Sequence, residues 1–177
     1  MRSNSLLVLT SALLGIGLIY ALYNTAVSTI KPLPPTASID SIVVVKHDRL
    51  MYVFEDGQLL RSYKVALGGE PVGHKLFEGD NRTPEGMYRI NEKNPHSFYH
   101  KNLGISYPSD EDRKAALKVR KSPGGDIKIH GLPNGKGYIG SAHTARDWTL
   151  GCIAVTNEEI DELFNHVSVG TPINILP

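Results

Sequence analysis

The chain has 177 residues, 19 Lys and Arg against 18 Asp and Glu, and a single cysteine. Such near-neutrality excludes the broad basic surface that nucleic acid or an anionic membrane would require, and one cysteine excludes an intramolecular disulfide. That thiol, Cys152, is a buried filler, a reactive group or a metal ligand.

Residues 6–22 are almost wholly apolar, with Arg2 before them and no acid inside. The run is short for a bilayer span and long for a signal-peptide core, and bulky Tyr20, Leu22 and Tyr23 crowd any cleavage site. Residues 1–30 are expected to be an uncleaved signal anchor, with a cleaved signal peptide as the alternative; Arg2 on the inner side would put the remainder outside the cytoplasmic membrane. Residues 31–38, with Pro32, Pro34 and Pro35, read as a stiff extended linker. From residue 39 onward roughly 140 residues remain, enough for one well-cored domain.

Ile42-Val43-Val44-Val45 is a β-branched run of strand length, and Leu50-Met51-Tyr52-Val53-Phe54 is another. Asp56-Gly57 suits a two-residue hairpin turn, so residues 58–67 should return antiparallel to the second strand. A glycine-rich passage then runs to Thr83-Pro84-Glu85-Gly86, a tight-turn signal. Met87-Tyr88-Arg89-Ile90 and Ile105-Ser106-Tyr107 resume strand character.

Residues 109–121 predict a solvated helix: Ser109 can cap it, acids occupy its first turn and Lys118, Arg120 and Lys121 its end. Asp126-Ile127-Lys128-Ile129-His130 alternates like a half-wet strand, and Ile153-Ala154-Val155 reads as a further one. Thr156 with Glu159 forms a capping box, and Ile160, Leu163, Phe164 and Val167 come after it at helical spacing. Residues 172–176 give the last strand. The sum is a mainly β domain with two short helices and no internal repeat.

The chemistry concentrates in residues 130–156. If His130 ends one strand and Cys152 begins its neighbour, the imidazole can take the thiol's proton and hold a thiolate–imidazolium pair. The backbone amides around Gly151 and Cys152, that of Gly151 above all, are the expected oxyanion donors, and glycine lets backbone approach substrate. The Gly131 carbonyl is the expected acceptor orienting His130. Bland readings stay open: a cysteine beside Ile-Ala-Val is often apolar filler, and a lone histidine is often structural. A zinc site of His130, His143 and Cys152 is the metal alternative, although no ligand pair has compact metal-site spacing. Arg146 is a candidate for a substrate carboxylate, Trp148 and Tyr138 for walls of a peptide groove, and Thr149 for a contact near the sulfur. His74, Lys75 and Arg82 are weaker candidates for contacts to an anionic substrate.

Gly79-Asp80-Asn81-Arg82-Thr83-Pro84-Glu85-Gly86, Ile129-His130-Gly131, Thr149-Leu150-Gly151-Cys152-Ile153 and Gly170-Thr171-Pro172-Ile173, in this order, resemble the L,D-transpeptidase catalytic domain (YkuD-like) family. The resemblance covers about residues 40–177. It implies a β-sandwich-type domain, Cys152 as nucleophile, His130 as general base and acid, and peptidoglycan stem peptides as substrate. It implies no cofactor and no metal. Many members carry Ser/Thr-His-Gly-Cys where this chain has Thr149-Leu150-Gly151-Cys152, which leaves open the fate of the acyl group once it is on sulfur. The expected protein is an L,D-transpeptidase of the bacterial envelope, anchored in the inner membrane with its domain in the periplasm, or secreted there if cleaved. The alternatives are an L,D-carboxypeptidase or endopeptidase and a non-catalytic wall-binding module.

Overall fold

Alternating burial in the first two strands fixes where the core lies. In the computed structural model, which describes residues 32–177, β1 (Ser41–Val45) buries Ile42 and Val44 and β2 (Leu50–Glu55) buries Met51 and Val53. The turn to β3 (Gln58–Lys64) has positive φ at both Asp56 (50°) and Gly57 (75°), the geometry that an Asp-Gly hairpin supplies. The expected membrane segment lies outside the described residues; among the described residues no helix is long and apolar enough to cross a membrane.

The remaining elements are β4 (Gly86–Ser97), β5 (His100–Ile105), α1 (Asp110–Lys118), β6 (Lys128–His130), a 3-10 segment (Gly137–Ala145), β7 (Ile153–Ala154), α2 (Asn157–His166) and β8 (Pro172–Leu176). They build one eight-stranded sheet in the order β3-β2-β1-β8-β4-β5-β6-β7. Pairing is antiparallel except at β1–β8 and β6–β7. The expected sandwich is thus a single sheet that curls on itself. Closure comes just after β3: Ala66 exchanges two hydrogen bonds with Ala154 of β7, at 3.0 and 2.8 Å, and Gly68 bridges Thr149. Ile42, Val53, Tyr63, Ile90, Leu103, Ile129, Ile153 and Ile173, from all around the curl, pool in one core.

Both expected helices are present with complete capping boxes. Ser109 and Asp112 cap α1, and Thr156 and Glu159 cap α2. The first ends at Lys118, short of the expected 121, because Arg120 adopts a left-handed φ of 56°. The 3-10 segment, kinked at Gly140, makes a third helical element; its short turns carry no 3.6-residue repeat to announce them.

Two further expectations are corrected. The proline-rich stretch is not an extended spacer: Leu33–Pro177 forms one compact unit, and Leu33 and Ala37 are buried. Ala37 N–H closes a turn on the Pro34 carbonyl, and Glu162 of α2 accepts from Leu33 N–H at 2.7 Å and from Tyr63 OH at 2.8 Å. The strand expected at Ile105-Ser106-Tyr107 instead ends at Ile105 and begins upstream at His100, as one arm of a long hairpin with β4.

Candidate active site

The three residues of β6 sit between β5 and β7. Asn102 of β5 lies opposite His130 on one side, while Ile129 pairs with Ile153 and His130 with Ala154 on the other. Because alternate strand residues share a face, Ile129 and Ile153 enter the core while Lys128 and His130 face away from it. Cys152, immediately before β7, joins them. All three line one cleft of about 810 Å³, together with Tyr99, Asn102, Asp126, Trp148 and Thr149.

His130 is 5% exposed, and its Nδ1 lies 2.7 Å from the Gly131 carbonyl oxygen. A carbonyl only accepts, so Nδ1 carries the hydrogen and Nε2 holds the free lone pair. The ring rests against Tyr99 at a centroid distance of 4.6 Å and meets Trp148 edge-on at 5.7 Å. Burial in this aromatic cage pushes its pKa down to about 4; the Gly131 hydrogen bond works in the other direction, and the nearby His143 and Lys128 lower it further. The imidazole is neutral at neutral pH.

Cys152 is half-buried, and its Sγ donates weakly to the Asp126 carbonyl at 3.6 Å. Burial raises the thiol's pKa, opposed chiefly by the Lys128 backbone N–H and then by the Lys128 charge. Both shifts favour the proton on sulfur and work against the thiolate–imidazolium pair expected from sequence.

The turn before Cys152 is braced from within. Thr149 Oγ1 donates to the Cys152 carbonyl at 2.8 Å and accepts from Gly151 N–H at 3.1 Å. The Gly151 amide is thus engaged inside the turn, and the Thr149 hydroxyl holds the backbone on either side of the sulfur-bearing residue, the commoner use of such a side chain. Gly151 is nonetheless required there, with φ at 135° and a Cβ position only 2.6 Å from the Arg82 carbonyl oxygen. Asp147, to which the sequence assigns no role, clamps the turn by accepting from Leu67 N–H at 2.9 Å and from Arg49 at 2.9 Å.

Other candidates separate. Trp148 stacks on Tyr99 and lines both the cleft and a second cavity of about 470 Å³. Arg146 lines only that second cavity, so it is not placed for a carboxylate beside Cys152. Tyr138 is 84% exposed and lines neither. His143 is buried in the second cavity's wall with both ring nitrogens unpartnered. His74 is engaged by Asp112 and by Glu85 N–H, and Lys75 by buried Asp80. Among the described residues no group of three His, Cys, Asp or Glu side chains converges as a metal site, so His130, His143 and Cys152 do not form one. Tyr99 escaped the sequence reading because it stands in a polar, patternless stretch, and Asp126 because it read only as the first residue of an alternating strand.

The sequence profile of the L,D-transpeptidase catalytic domain matches residues 39–175. The chain belongs to this family. YafK of Escherichia coli K12, itself a candidate L,D-transpeptidase, is 31% identical over 133 residues, covering 72% of this chain and 46% of its own length. Among solved structures, the helical cell shape determining protein Pgp2 of Campylobacter jejuni superposes with a TM-score of 0.58 at 26% identity, covering 79% of this chain and 48% of Pgp2. Bd1075 of Bdellovibrio bacteriovorus gives 0.55 at 26% identity, over 82% of this chain and 50% of its own. The L,D-transpeptidase of Mycobacterium smegmatis shares the fold at 16% identity with a TM-score of 0.51, over 77% of this chain and 58% of its own. The chain thus spans about half the length of the relatives it matches.

Proposed function

We propose that this family member is a cysteine-dependent acyltransferase acting on peptidoglycan stem peptides in the bacterial cell envelope, anchored or exported there by residues 1–30. The observation that carries the reading is the parallel β6–β7 pairing, which sets His130, with an available Nε2, and Cys152 into one cleft. The family membership supports the substrate class, and the likeness to a cell-shape protein of C. jejuni supports a role in the wall.

With both partners neutral at rest, His130 Nε2 accepts the thiol proton as Sγ attacks the carbonyl carbon of a diaminopimelate–D-alanine type bond. The imidazolium then gives that proton to the departing amine, leaving a Cys152 thioester. An amine or water attacks the thioester, passes its proton to His130, and the thiol is restored. An amine gives a new cross-link or attachment; water gives the carboxypeptidase or endopeptidase outcome. In this reading the Gly131 carbonyl holds the productive tautomer, and Trp148 and Tyr99 wall the groove.

The raised thiol supports a second reading, in which the same cleft binds wall peptide without reacting. Incubating the purified chain with defined tetrapeptide, pentapeptide and cross-linked muropeptides, with intact-mass and product analysis, separates the two. An acyl-enzyme in the native protein, absent in Cys152→Ala, is expected. Unaltered muropeptides with binding preserved in Cys152→Ala would leave only the binding module.

A further inference from the structure

Lys128 lies two residues before His130 and so shares its face of the sheet, and the β6–β7 register sets it beside Cys152. Its Nζ pairs with Asp126 Oδ1 at 3.2 Å; the lysine side chain is 22% exposed and the aspartate 87%. We propose that Lys128 is the receptor for a carboxylate on the wall peptide, and that Asp126 occupies this position only until substrate arrives. The inference rests on the function proposed above, and it places carboxylate recognition in the cleft that Arg146 does not line.

The charged neighbours support the choice. The cleft is also lined by Lys75, Glu78, His96 and His130. Lys75 is matched by Asp80 in a buried pair at 2.8 Å, so withdrawing it would leave a buried carboxylate without its cation. His130 is neutral and its Nδ1 is engaged by Gly131. Lys128 differs from both. Its partner is an exposed side chain that can turn into water at little cost, because such surface pairs contribute about 0–1 kcal/mol. An incoming carboxylate would meet the ammonium in a less solvated position than Asp126 holds, where a charge-assisted hydrogen bond is stronger. A carboxylate held there lies next to the sulfur, which suits a peptide whose charged group neighbours the bond to be broken.

The test uses two reagents that alkylate the one cysteine by the same step, sulfur displacing iodide from carbon with the thiol proton leaving to base. Iodoacetate carries a carboxylate and iodoacetamide does not. For the purified full chain at low ionic strength, the ratio of their rates should fall about tenfold in Lys128→Met and be kept in Lys128→Arg, as expected for losing and restoring a hydrogen bond to a charged group. It should rise in Asp126→Asn, which removes the competing carboxylate without touching the lysine. Equal slowing of both reagents in Lys128→Met would overturn the proposal, leaving Lys128 an influence on the thiol proton alone. An unchanged ratio in Asp126→Asn would overturn the placeholder role. Muropeptides with free and amidated carboxylates form the last arm. If the alkylation ratios move as expected while no muropeptide reacts or binds, the function reading fails and the carboxylate site stands.

Discussion

Acidification should destabilise this protein through His130 before Asp80 and Asp161 are reached. Burial holds the folded imidazole at a pKa of about 4, against about 6.5 in an unfolded chain. Between those values the unfolded chain binds a proton that the folded one refuses, so stability is complete above pH 6.5 and falls as pH drops toward 4. The gap corresponds to about 3 kcal/mol, a large part of the ~5–15 kcal/mol that a small domain possesses. His143, also held low by burial, adds in the same direction; Glu159, raised by burial, opposes it, and Asp80 and Asp161 are held below the ordinary aspartate value and titrate later. Urea unfolding monitored by Trp148 fluorescence at pH 7, 6, 5 and 4 measures the trend. His130→Phe, run in parallel, cancels the contributions of other groups. The native protein should lose stability more steeply than the variant across this window; parallel curves, or native stability that rises on acidification, would show that the imidazole is not buried as described.

Other substitutions probe the turn that carries the sulfur. Gly151→Ala forces a Cβ against the Arg82 carbonyl at a φ of 135°, and should cost about 2–4 kcal/mol by urea midpoint while slowing Cys152 alkylation. Thr149→Val keeps the shape but removes the oxygen joining Gly151 N–H to the Cys152 carbonyl, which should cost about 1–3 kcal/mol by the same measurement.

Legibility in the chain divides by the range of the forces involved. The Asp56-Gly57 hairpin and both capping boxes are local, decided within a few residues of backbone geometry, and each formed where its residues lie. The β4–β5 hairpin was hidden because residues 91–97 project polar side chains on both faces and include Pro95, which argues against a strand interior. Closure of the sheet was hidden for a different reason: nothing local in Val65 or Ala66 reveals a partner as distant as Ala154. At the site, the pairing of β6 with β7 could be reasoned from two apolar alternations meeting His130 and Cys152. The protonation of that pair could not, since it depends on Tyr99 and on burial contributed by separate elements. Arg146 shows the limit of proximity in sequence: six residues from the cysteine, it points its chemistry at another cavity.

The site is therefore a product of backbone register more than of side-chain bonding. Among the described residues no hydrogen bond links His130 to Cys152; each is fixed instead by its own strand, by Gly131 for the imidazole and by Thr149 for the turn. Strand β7 is only two residues long, and Ile153 and Ala154 hold their place because β6 flanks one edge and Ala66 the other. Gly68, whose Cβ would collide with the Asn81 carbonyl, lets that closing segment lie flush against the loop behind it. Loss of closure would thus free β7 on one side and let the sulfur drift from the imidazole without either side chain being altered. Within the glycine-rich passage of residues 68–86 it is Gly68 that answers this demand: backbone packs against backbone behind the turn that carries Cys152, where Arg82 meets Gly151 and Asn81 meets Gly68.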